Sequence, residues 1–137
     1  MITPTSLSEQ ILFTTVRIET MLGTGAVGSG TGFFYDHKLD GDKTIPLIVT
    51  NKHVVKGAVK GKFQLHEADA SVEPKPSGRF VNIEHDNFEQ LWFPHPDAGV
   101  DLCIMLFQPV RELAVNNGKQ IFHVQFDQSH VPTPALW

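Results

Sequence analysis

The stretch Pro46-Leu-Ile-Val-Thr-Asn-Lys-His-Val-Val55 constrains the chain more than any other. Its first half is a short apolar run rich in β-branched residues. Too short for a buried helix and well suited to a pleated surface, it predicts a buried strand. At Thr50, Asn51 and Lys52 the pattern turns polar, and His53 arrives where the strand should give way to a turn. A histidine at the mouth of a rigid strand is held by its neighbours, which is the fixed geometry a general base requires. For a solitary histidine, capping the strand end is the simpler role. His53 has company further along the chain.

Other segments carry strand signals of the same kind. Val16 and Ile18 alternate with Arg17 and Glu19, and residues 62–66 and 79–84 alternate likewise. Residues 89–93 predict a short strand ended by Pro94 and Pro96, residues 101–107 a strand buried on both faces, and residues 121–126 a last alternating strand. The connections are legible too. Asp40-Gly41 marks a hairpin within residues 36–43, and Pro74, Pro76 and Gly78 mark a surface loop over residues 69–78. Helical turns are expected from the capping box Ser6-Leu-Ser-Glu9, over residues 54–56 with a stop at Gly57, and over residues 110–117 with a stop at Gly118. Short strands with little helix predict an all-β fold, a small closed antiparallel β-barrel. Residues 23–32, which hold five of the eleven glycines, suit its sharp bends. Phe33, Ile48, Val49, Leu102, Ile104 and Leu106 are expected in its core.

Composition narrows the function. At 137 residues, 41% of them apolar and ten of them phenylalanine, the chain is long enough for one domain with a real core. A net charge of −4 without a run of Lys or Arg argues against a nucleic-acid groove or an anionic membrane surface as partner. The single cysteine, Cys103, excludes an internal disulfide. The first twenty residues lack the basic start and apolar core of a signal peptide, and no run reaches transmembrane length. A soluble, cytoplasmic protein is the expectation.

The company of His53 is Asp101, in Ala98-Gly-Val-Asp101, just ahead of the apolar run Leu102–Phe107. A carboxylate at the entrance of a buried strand is costly unless something there uses its charge. An imidazole is the obvious partner: it would donate a ring N–H to the carboxylate, which fixes its tautomer and stabilises the imidazolium. A turn aspartate or strand-edge cap is the plain alternative. Three motifs in order, Gly28-Ser-Gly-Thr-Gly-Phe-Phe34, Ile48-Val-Thr-Asn-Lys-His-Val-Val55 and Asp101-Leu-Cys-Ile-Met105, resemble the trypsin-like serine peptidases, most closely their bacterial, disulfide-free HtrA-like branch. The resemblance covers residues 28–107. It implies the first of two β-barrels, with His53 as general base, Asp101 as its orienting partner and a polypeptide as substrate.

The chain departs from that family in one large respect. The family's nucleophile sits in a Gly-x-Ser-Gly turn of the second barrel, whose backbone also supplies the oxyanion hole. No such turn follows Asp101, and the only later serine, Ser129, has no flanking glycines. No nucleophile is therefore assigned in this chain. Residues 1–126 are expected to form the N-terminal barrel, and residues 127–137 the start of a connection to a missing second barrel. On its own the chain should not hydrolyse peptides, and its inter-barrel face should be open to self-association. The rival reading is a non-catalytic protein-binding or scaffolding module on the same barrel.

Other signals carry less. Gly23-Thr-Gly-Ala-Val-Gly28 matches a dinucleotide fingerprint, but no helix can open at its third glycine, so no cofactor is expected. Ser29 reads as a strand serine and Cys103 as a small buried hydrophobe. His37, His66, His85, His95, His123 and His130 lack zinc-ligand spacing, so no metal is expected, and a metal-dependent hydrolase is a distant third reading. His85-Asp86 and His95-Pro-Asp97 read as loop residues, the latter near the rim beside Asp101.

Overall fold

The alternation at Val16 and Ile18 becomes a strand because both side chains turn to one buried face while Arg17 faces water. A computed structural model describes residues 13–39 and 41–125. In chain order it contains β1 (Thr15–Leu22), β2 (Val27–Lys38), β3 (Thr44–Thr50), the one-turn helix α1 (Lys52–Val55), β4 (Ala58–Ala68) and β5 (Pro76–Asp86). A 3-10 turn (Phe88–Leu91) follows, then β6 (Phe93–Pro94), β7 (Cys103–Leu106), α2 (Gln108–Asn116) and β8 (Ile121–Phe122). The strands form one antiparallel sheet in the order β5-β4-β1-β2-β3-β7-β6. Where β1 leaves the edge of β4, β8 takes it up, pairing Phe122 with His66. The fold is all-β, as the strand spacing predicted.

The sheet is not closed into a barrel, which corrects that expectation. Its two ends, β5 and β6, are consecutive in the chain but are joined by the 3-10 turn rather than by a strand ladder. One core nevertheless collects Ile18, Ile48, Phe63, Ile83, Met105 and Phe107 from strands across the whole sheet and its flanks. The 3-10 turn replaces the strand expected over residues 89–93. Phe88 and Trp92 are buried and Leu91 packs against the core while Gln90 is exposed, the i, i+3, i+4 spacing of a helical turn; in a strand Gln90 would share the inward face. Phe88 lies so close over Gly61 that a Cβ there would stand 2.2 Å from its ring.

The glycines of β2 likewise serve close packing rather than bends. A Cβ at Gly30 would come within 2.7 Å of the Val54 methyls, so the bare backbone lets α1 settle onto the strand. Gly57 and Gly118 end the two helices with φ of 73° each, as the sequence suggested. The connection between β2 and β3 is the expected hairpin, closed by Leu39 N–H to Lys43 O.

The run 101–107 differs most from expectation. Cys103, Met105 and Phe107 are buried, whereas Leu102, Ile104 and Leu106 are 40%, 36% and 44% exposed. A continuous apolar run does not reveal which face is covered, and here only one is. Of the six expected core residues, Ile48 and Val49 are buried and Phe33 is half-buried; these three leucine and isoleucine side chains are not in the core. β5 also takes in Pro76 and Gly78, shortening the expected loop, and β8 stops at Phe122. The capping box at Ser6 and the connection expected over 127–137 lie outside the described residues. No helix among the described residues is long and apolar enough to cross a membrane.

Candidate active site

Strand β3 ends in an anchor. Thr50 is buried, and its hydroxyl donates to the Thr31 carbonyl at 3.0 Å. Asn51 is still extended, at φ −85° and ψ 145°, and helix α1 begins at Lys52. Val55 is buried and Val54 packs on Gly30, so the helix is held from beneath and His53 is turned outward. His53 thus belongs to the first turn of a short helix, not to the strand mouth itself.

Register brings Asp101 to it. In the β3–β7 ladder Thr50 stands opposite Cys103. Continuing the same antiparallel register two residues further sets Lys52 opposite Asp101, and the Lys52 N–H lies 3.4 Å from the Asp101 carbonyl. The Asp101 carboxylate then holds His53 twice. Oδ1 accepts the His53 backbone N–H at 3.1 Å, and Oδ2 lies 2.5 Å from the ring Nδ1. The structure therefore brings together the two residues singled out in the sequence.

The pair is open to solvent, with the His53 side chain 72% and that of Asp101 50% exposed. Asp101 is not the buried carboxylate that the apolar run suggested. Its carboxyl is held below the usual aspartate range, chiefly by the hydrogen bond from the His53 side chain, with burial opposing and the His53 N–H assisting. With Asp101 ionised, the ring proton belongs on Nδ1, and Nε2 keeps its lone pair. Nε2 has no hydrogen-bond partner among the described residues. Chemically, the arrangement can take a proton at Nε2 and hold the resulting imidazolium against a carboxylate.

Beside the pair is a depression of about 470 Å³, within the range of ligand pockets. Val55, Trp92 and Cys103 form its buried floor, and Lys56 and Glu89 stand on its rim. Glu89 also accepts the Gly57 N–H at 2.9 Å, tying the 3-10 turn to the end of α1. Burial, helped by the Asp101 charge, pushes the Cys103 thiol up to about 11, so it is a poor nucleophile. Ser29 lies on the outward face of β2 opposite Glu19, in a separate depression of about 640 Å³. Ser129 lies outside the described residues.

The remaining histidines divide by setting. His85 is in β5, not in a loop; it is half-buried against Phe63 and Phe88 and pushed down by burial. His95 and Asp97 are in the loop before β7, as expected. His95 Nδ1 accepts the Asp97 N–H, and the Asp97 carbonyl accepts the Lys52 ammonium at 3.0 Å. No group of three or more metal-ligating side chains occurs among the described residues. Sequence reasoning missed the part of Asn51, whose amide donates to the Asp101 carbonyl at 2.8 Å. The available signal was an asparagine at a helix start with a histidine two residues on.

In comparisons with protein-family models, curated proteins and solved structures, nothing matches this chain.

Proposed function

We propose that the chain is the base-bearing half of a serine-type endopeptidase, with His53 as general base and Asp101 as the residue that orients it. The observation that carries the reading is the double grip of one carboxylate on the backbone N–H and ring Nδ1 of His53, with Nε2 turned to solvent. In this reading a serine hydroxyl from a second barrel attacks a peptide carbonyl and gives its proton to Nε2. His53 then hands that proton to the leaving amine, and water cleaves the acyl ester by the same route. The ordered motifs around Gly28, His53 and Asp101 support the assignment, and the substrate is a polypeptide. The finer resemblance, to the first barrel of the trypsin-like class, belongs to the same proposal, with an interrupted wall where that barrel would close.

The test is to express the chain together with whatever coding sequence follows it and to treat the product with a serine-directed fluorophosphonate. Labelling that disappears in His53→Ala is the expected result, with none on the 137-residue chain alone. An extended product that stays unlabelled, or labelling of Ser29 or Ser129, would overturn the reading.

One observation favours a second reading, a protein-binding module on the same scaffold. Phe93, 62% exposed, stands opposite Ile104, and Leu106 continues the outward apolar row of β7. Such a face suits another protein surface, including a second copy. Under this reading Phe93→Glu would abolish association measured by sedimentation, and the extended product would never be labelled.

A further inference from the structure

Asn51 stands at the N-cap of α1, a position where an asparagine ordinarily turns its side-chain oxygen back to accept the N–H of the second or third helical residue. Here it makes no such bond. The N–H of the second helical residue, His53, goes instead to Asp101 Oδ1 at 3.1 Å, a carboxylate 48 residues away. The Asn51 amide is meanwhile spent as a donor, 2.8 Å from the Asp101 carbonyl. The two residues have exchanged duties: Asp101 caps the helix, and the natural cap holds Asp101.

We propose that Asn51 is a positioning residue for the pair, fixing the Asp101 main chain so that its carboxylate can cap α1 and grip the His53 ring at once. The inference rests on the reading of His53 and Asp101 as a base and its orienter, but its geometry does not depend on hydrolysis. Two further ties act in the same direction. The Lys52 N–H lies 3.4 Å from the Asp101 carbonyl, and the Lys52 ammonium donates to the Asp97 carbonyl at 3.0 Å. Of these ties only the Asn51 amide joins a side chain to the main chain of Asp101 itself. The residue ahead of α1 thereby sets the angle at which the carboxylate meets the ring. Without that donor the Asp101 carbonyl can turn to water and the segment 97–101 can swing away from the helix. Asn51 touches neither reacting atom and acts only through Asp101.

The experiment is proton and carbon NMR on the 137-residue chain and on Asn51→Ser and Asn51→Asp. Both replacements are good N-caps, so α1 keeps a cap from its own chain. Serine is too short to reach the Asp101 carbonyl, and aspartate, the same size as asparagine, has nothing to donate. The unmodified chain should show a deshielded Nδ1 proton on His53 and an Asp101 carboxyl that titrates below an ordinary aspartate. Both variants should lose that proton signal, and Asn51→Ser should raise the Asp101 midpoint toward its ordinary value, while amide shifts of β3 and β7 stay in place. A retained Nδ1 signal with an unmoved Asp101 midpoint in either folded variant would overturn the inference, as would its absence from the unmodified chain. A merely structural Asn51 would lower the unfolding midpoint and leave both signals alone. If the extended product proves unlabelled by fluorophosphonate yet the variants lose the proton, the positioning role stands and the peptidase reading falls.

Discussion

The acid sensitivity of the fold should be set largely by His123, a residue far from the candidate site in its chemistry. Its ring lies 5.0 Å from that of Phe34 and 4.9 Å from that of Phe107, and the Arg111 guanidinium sits over Phe107. Burial first, and the Arg111 charge second, push the imidazole from its ordinary 6.5 down to about 4. The folded state therefore keeps His123 neutral while the unfolded chain protonates it. This contribution is fully present above the unfolded value and is lost as pH falls from 6.5 toward about 4. Its full size is at most about 3 kcal/mol, and about 2 kcal/mol of it should disappear between about pH 7 and pH 5. His123→Phe keeps a ring of similar size in an aromatic site and removes the titration. Urea unfolding at the two pH values, followed by tryptophan fluorescence, reads the difference. His66 and His85 are also pushed down by burial, so the variant should retain some acid sensitivity. Its loss between the two pH values should still be smaller than that of the unmodified chain by about 2 kcal/mol. An identical pH dependence in the two proteins would refute the reasoning.

Other outcomes follow from the packing and the site. Gly61→Ala drives a methyl against the ring of Phe88 and should destabilise by about 1–3 kcal/mol, seen as a lower urea midpoint; an unchanged midpoint would mean that Phe88 moves freely. Ile104→Asn, on the exposed face of β7, should change stability by no more than about 0.5 kcal/mol, whereas the buried neighbour Met105→Ala should cost about 2–5 kcal/mol. Equal effects at the two sites would contradict the strand's register. In the extended product, Asp101→Asn should slow fluorophosphonate labelling by up to about 10⁴-fold by disturbing the tautomer and orientation of His53; an unimpaired rate would deny Asp101 its role.

Much of this protein was legible in one dimension. The period-two alternation of Val16 and Ile18 and of residues 79–84, the hairpin between β2 and β3 and the glycine stops at 57 and 118 each depend on neighbours in sequence, and each appeared where expected. His53 and Asp101 could be named as candidates from the sequence because each stands at the end of an apolar run and the three motifs around them follow in one order, although either alone would read as a cap. Their meeting was a matter of tertiary structure, since it depends on β3 and β7 pairing with Thr50 opposite Cys103. Which side of the run 101–107 is covered was also decided there. A continuous apolar run has no period from which to read its inward face, and burial depends on what lies above each side. The 3-10 turn that interrupts the sheet formed for a similar reason: Gly61, remote in sequence, leaves the space that Phe88 fills. The exchange of caps between Asn51 and Asp101 could not be read locally either, because an asparagine before a helix has an acceptor to offer its own turn. Only the arrival of a distant carboxylate at the His53 N–H left its amide bound to Asp101 instead.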